Sequence, residues 1–167
     1  MSIKLIELAH GAVLARLFRS DRPALRMVET NRDESGRVYL INDLVYIYIK
    51  HSVSPRLSER TDVCSWTFSF NANHLNFMQQ CNTAQKQLCL ALVCLQKDMS
   101  SESTAIAFLN WDEISRCLDW QQMDEQQTIT VRYQERCNLR VWGPRNTADR
   151  PLNVNQSALD RWDVPGV

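Results

Sequence analysis

The chain has 167 residues, 44% hydrophobic and 23% charged, a balance that excludes collagen-like and disordered classes and suffices for the core of about one domain. Nineteen basic residues offset nineteen acidic ones, so no overall field draws the molecule to DNA or to an anionic membrane. Any such binding has to be local.

The N-terminal stretch MSIKLIELAHGAVLARLF interrupts its apolar positions with Lys4, Glu7, His10 and Arg16 and lacks a small-residue cleavage site. It therefore reads as a helix of the mature protein, with Ser2 as cap and Pro23 beyond its end, rather than as a signal peptide. Short strands follow at Leu25 to Glu29 and Val38 to Ile41, separated by a polar turn centred on Gly36. LVYIYIKHSV, rich in branched and aromatic residues, is the clearest strand in the chain. After a polar loop, Trp66, Phe68 and Phe70 alternate as one buried face of a strand.

From Asn71 the pattern turns helical, and QLCLALVCL then gives a near-continuous apolar run that predicts a central strand covered on both faces. TAIAFL is a further short apolar piece, and Asn110 caps a helix on which Ile114, Cys117 and Leu118 share a face. QTITVRYQ and NLRVWG read as a closing hairpin. The expected fold is α/β, with α+β as the alternative, built on a single mixed central sheet flanked by helices. Residues 1–142 form the domain and 143–167 an irregular tail, ordered where Leu159, Trp162 or Val164 finds a pocket.

No apolar stretch approaches the about 20 residues of a membrane span, so a soluble, cytoplasmic protein is expected, without a membrane partner. The six cysteines are scattered through apolar segments without a Cys-x-x-Cys pair, which favours free, core-packed thiols over zinc. Cys89 and Cys94 lie five apart in one strand and so point to opposite faces. Gly-rich phosphate loops and a G-x-S-x-G elbow are missing, which excludes the common nucleotide-dependent and serine-hydrolase templates.

One constellation carries possible chemistry. Lys50 ends the strongest strand, and Asp43 stands at its start, where two apolar runs meet at Asn42-Asp43. Carboxylates that hold Mg²⁺, a metal-activated water and a lysine beside the phosphate are the parts of a metal-dependent phosphodiesterase. In element order, and in Ile41-Asn42-Asp43 followed by LVYIYIK, the sequence resembles the PD-(D/E)xK restriction-endonuclease-like superfamily over roughly residues 3 to 95.

That resemblance implies a restriction-endonuclease-like core and a site formed by a helix glutamate, an aspartate at the second core strand and an acid-x-lysine on the third. Glu7 matches the helix acid, Asp43 the aspartate and Lys50 the lysine, while Tyr48 stands where the second acid belongs and Glu29 is its candidate substitute. Asp43 and Glu29 are the expected metal ligands, for Mg²⁺. His51 would sit at the mouth of the site, and Arg56 and Arg60 in the following loop are candidate nucleic-acid contacts.

Each residue also has a structural role open to it: Asp43 as a turn residue, Lys50 as guard of an edge strand, Glu7 as a first-turn acid favoured by the helix dipole. The implied function is a nucleic-acid transaction such as defence against foreign DNA or RNA, by metal-dependent cleavage or by an inactive binding subunit. A non-enzymatic module that docks on a protein partner or forms a homo-oligomer is the alternative. A real site would gather Glu7, Asp43 and Lys50 into one cleft.

Overall fold

The structure is a computed structural model that describes residues 4–19, 23–28, 36–53, 55–57, 63–96 and 104–166. The fold is mixed α/β, with two sheets in place of the single one expected. Helix α1 (Leu5–Leu17) buries Ala9, Val13 and Leu17, a stripe at four-residue spacing. Strands β1 (Leu25–Val28), β2 (Gly36–Ile41) and β3 (Val45–Ser52) then form an antiparallel meander. Between β2 and β3, Asn42 and Asp43 both adopt positive φ, 49° and 57°, and Leu44 N–H donates to the Ile41 carbonyl at 2.9 Å. Asn and Asp are the non-glycine residues that tolerate this left-handed turn best.

The chain then leaves this sheet for β4 (Arg56–Leu57) and β5 (Val63–Phe70), and returns through α2 (Ala72–Cys81), which Asn71 caps by accepting from His74 N–H at 3.0 Å. Strand β6 (Gln87–Cys94) docks parallel to β3, and β7 (Ala105–Leu109) closes the edge, giving the order β1-β2-β3-β6-β7. After α3 (Trp111–Cys117), strands β8 (Gln127–Gln134), β9 (Leu139–Trp142) and β10 (Leu152–Val154) join β5 and β4 in an antiparallel sheet ordered β10-β9-β8-β5-β4.

The two sheets face each other across one core. Leu88, Leu90 and Leu92 of β6 meet Trp66, Phe68 and Phe70 of β5 and Ile129 and Val131 of β8, with Leu75, Met78 and Ile114 contributed by α2 and α3. Alternate residues of β6, Cys89, Ala91 and Val93, lie in a second core beneath α1. The both-face burial expected of this strand is met, and Cys89 and Cys94 fall on opposite sides of it.

The C-terminal residues, expected as an irregular tail, extend the antiparallel sheet through β10. The open edge of β9 supplies the hydrogen-bonding partner that three residues without periodicity could not advertise. Further on, Leu159 and Val164 are buried in the α1-side core, and Trp162 packs on Phe108 with ring centroids 5.3 Å apart. No helix among the described residues is long and apolar enough to cross a membrane.

Candidate nucleic-acid interface

Of the residues expected to share one cleft, Glu7, Asp43 and Lys50 do not converge. Asp43 lies in the β2–β3 turn, 80% exposed, where its carboxylate pairs with Arg26 at 3.4 Å. Lys50 is near the far end of β3, and the strand from Val45 to Lys50 alone spans about 16 Å. Glu7 is exposed, and its Oε2 accepts from Lys4 N–H at 2.9 Å, closing the first turn of α1. Glu29 and Arg60 lie outside the described residues. Among the described residues no group of three or more His, Cys, Asp or Glu side chains is placed to hold a metal ion.

Lys50 is 3% exposed on an interior strand, not on an edge, and its Nζ sits 5.1 Å from the Phe70 ring and 5.7 Å from the Tyr48 ring. Tyr48 turns the acid position of the expected motif into a wall of aromatic packing, edge-on to Phe70, His74 and Phe77. His51 follows Lys50 and therefore faces the opposite side of the sheet, toward α1. There it neighbours His10, whose Nδ1 lies 3.2 Å from the Tyr39 hydroxyl. Burial, then the charges of Arg37 and His51, push the His10 imidazole down to about 4.

The outer face of the antiparallel sheet has a different character. Residues paired across strands share a face, so the register aligns Arg56, Ser65, Arg132, Arg140 and Asn153 in one row that crosses all five strands. A second row holds Thr67, Thr130 and Trp142, and a third Ser69 and Thr128. None of these positions is acidic. Their neighbours along each strand, Phe68, Ile129, Val131, Leu139 and Val141, point into the core, which leaves this polar face to solvent.

Arg132 and Arg140 stand directly opposite each other, an arrangement that costs stability in a sheet. Among the described residues no carboxylate pairs with Arg56, Arg132 or Arg140. Arg132 instead lies over the Trp142 ring, 4.9 Å from its centroid. Three cations, one half-exposed indole and a lawn of hydroxyls form a surface suited to phosphates and to the face of a base. Arg56, expected in a loop, belongs to this face through β4. Arg132, Arg140 and Trp142 were not singled out, although the alternation in QTITVRYQ and NLRVWG places all three on the polar face. Compared with protein-family models, curated proteins and solved structures, the chain matches none.

Proposed function

We propose that this protein binds single-stranded nucleic acid, DNA or RNA, on the outer face of its antiparallel sheet. The carrying observation is the row of Arg56, Arg132 and Arg140, free of acids and without an ion-pair partner among the described residues, beside the half-exposed Trp142. Two like charges kept opposite each other are a cost to the fold, and an anionic ligand repays it. Five strands at about 4.8 Å spacing make a platform roughly 19 Å across, on which a strand lays its phosphates along the arginines and stacks a base on the indole. A duplex hides its base faces and gains nothing from Trp142.

The restriction-endonuclease-like core remains part of this reading. Its support is the element order of the mixed sheet, in which α1 and a three-stranded meander precede a helix and a strand parallel to β3. The proposed role is that of a binding subunit rather than a nuclease.

Fluorescence anisotropy with labelled single- and double-stranded DNA and RNA tests it. Single strands bind tighter than duplexes, log K falls with log salt at a slope near −2 for three phosphate contacts, and Arg132→Ala with Arg140→Ala abolishes the interaction. Equal binding of the double variant overturns the assignment. Cleavage in Mg²⁺ or Mn²⁺ would restore the hydrolytic reading, and concentration-dependent self-association without nucleic-acid binding would favour the assembly module.

A further inference from the structure

A cavity of about 580 Å³ opens at the seam between the two sheets, where β7 and the start of α3 meet β10 and the segment after it. This volume falls in the range of small-molecule sites. Its lining residues include an aromatic pair, Trp162 on Phe108, together with Glu113, Asp163 and Arg161. Asn153 also lines it, and Asn153 is the last residue of the row that runs from Arg56 through Arg132 and Arg140. The arginine row therefore ends at the cavity.

The charged groups in the cavity are not spent on one another. Neither Arg161 nor Asp163 makes an ion pair among the described residues. Glu113 Oε2 accepts from Asn110 N–H at 2.9 Å, which fixes the carboxylate while Oε1 and the second lone pair of Oε2 stay open to a ligand. A half-buried indole offers a stacking face. A carboxylate accepts two parallel N–H donors, and an arginine fork donates to two adjacent acceptors. Guanine is the base that presents both, with N1–H and the N2 amino group on one edge and O6 and N7 on another. Adenine and uracil offer no matching pair of donors to a carboxylate, and cytosine offers only its amino group.

We propose that this cavity is a guanine-binding pocket, which takes a guanine base of the strand held along the arginine row. The assignment rests on the single-strand reading for the strand's path, whereas recognition of the base rests on the cavity alone.

Quenching of tryptophan fluorescence by GMP, AMP, CMP and UMP is measured on the full chain, in wild type, Glu113→Gln and Arg161→Ala. Glu113→Gln keeps an acceptor for Asn110 N–H, and circular dichroism checks the fold of both variants. GMP is expected to bind roughly tenfold tighter than the other three, with the preference falling to about twofold or less in either variant. In parallel, single-stranded octamers with and without one guanine are titrated against wild type and the Arg132→Ala, Arg140→Ala double variant.

Four nucleotides that bind equally or not at all, together with octamers indifferent to guanine, overturn the pocket while leaving the sheet surface standing. GMP selectivity that persists while no octamer binds keeps the pocket and overturns the surface. Selectivity unchanged by both Glu113→Gln and Arg161→Ala also overturns the pocket.

Discussion

The guanidinium of Arg132 rests 4.9 Å from the centre of the Trp142 ring while Arg140 faces it from the neighbouring strand. One arginine thus sits over an aromatic ring and the other is exposed. Their substitutions separate two kinds of contact. Arg140→Ala removes a phosphate contact and flattens the salt dependence of single-strand binding by about 0.7 in slope. Trp142→Leu removes base stacking worth about 1–3 kcal/mol and leaves the slope nearly unchanged. Anisotropy titrations across a salt series read both numbers. A Trp142→Leu variant that alters only the slope would mean the indole positions Arg132 rather than meeting a base.

Gly36 pairs with Lys50 at the start of β2, and a Cβ there would lie 2.6 Å from Tyr48 Cε2 and 3.0 Å from Lys50 Cγ. The Tyr48 ring has no room to retreat, because Phe70, His74 and Phe77 surround it. Gly36→Ala is expected to cost about 1–3 kcal/mol through overpacking and to lower Tm by roughly 3–9 °C. Gly11 is the contrast: it lies within α1 with nothing inside 4 Å of its would-be Cβ. Gly11→Ala therefore stabilises by about 1 kcal/mol through helix propensity. Differential scanning calorimetry of the two variants checks the opposite signs.

His10 lies on the buried face of α1, 3% exposed, and its imidazole protonates only near 4, whereas in the unfolded chain it does so near 6.5. Above pH 6.5 both states are neutral at this site and His10 adds no pH dependence. Between about 6.5 and 4 the unfolded chain takes up a proton that the folded one refuses, so stability falls as pH falls. The loss reaches at most about 3 kcal/mol for one group. His10→Phe keeps a buried ring and removes the titration, so its urea midpoint drops less than that of wild type between pH 7.5 and pH 4.5. Parallel curves for the two proteins would show that His10 does not titrate in this window.

The reach of the sequence is plain in particular strands. The continuous apolar run of β6 announced burial on both faces, and QTITVRYQ coincides with β8 from end to end. Alternation along a strand reports which face a residue occupies, but it does not report the neighbouring strand. Strand β5 is the next long strand after β3, yet it pairs with β8, more than fifty residues on, and so the second sheet stayed hidden inside a single expected one. The misreading of Asp43 and Lys50 has a simpler cause. Residues near the two ends of an extended strand are separated by its length, while the same interval in a helix would have brought them onto one face. Glu7 matches the helix acid only through the resemblance, and the local attraction between a third-position carboxylate and the first free N–H holds it in the first turn instead.

The cysteines differ in reactivity by burial. All six are free, Cys137 is exposed and Cys64 is half-buried. Burial pushes the thiol of Cys81 up to about 11 and those of Cys89 and Cys117 up to about 12, and raises that of fully enclosed Cys94 well above the usual range. Since the thiolate is the nucleophile, these four are inert at pH 8. Iodoacetamide on the native protein should label Cys137 first and Cys64 more slowly, with the other four modified only in denaturant, as read by peptide mass spectrometry. Early labelling of Cys94 or Cys117 would show that the core opens without global unfolding.

Trp66 joins the two sheets by more than packing. It is fully buried on β5, and its Nε1–H donates to the Leu95 carbonyl, just past β6, at 2.8 Å. Replacing it with Phe removes the donor, strands a buried carbonyl and leaves a void the size of the missing ring atoms, which together cost about 2–4 kcal/mol. Thr67 is the neighbouring residue on the same strand but points outward, so Thr67→Val is expected to change stability by less than about 0.5 kcal/mol. Urea denaturation of both variants measures the difference. If Trp66→Phe proved as mild as Thr67→Val, the sheets would be held by apolar burial alone. A loss that includes a lower m-value would mean instead that the antiparallel sheet loosens before the mixed one, separating the proposed binding face from the core that supports it.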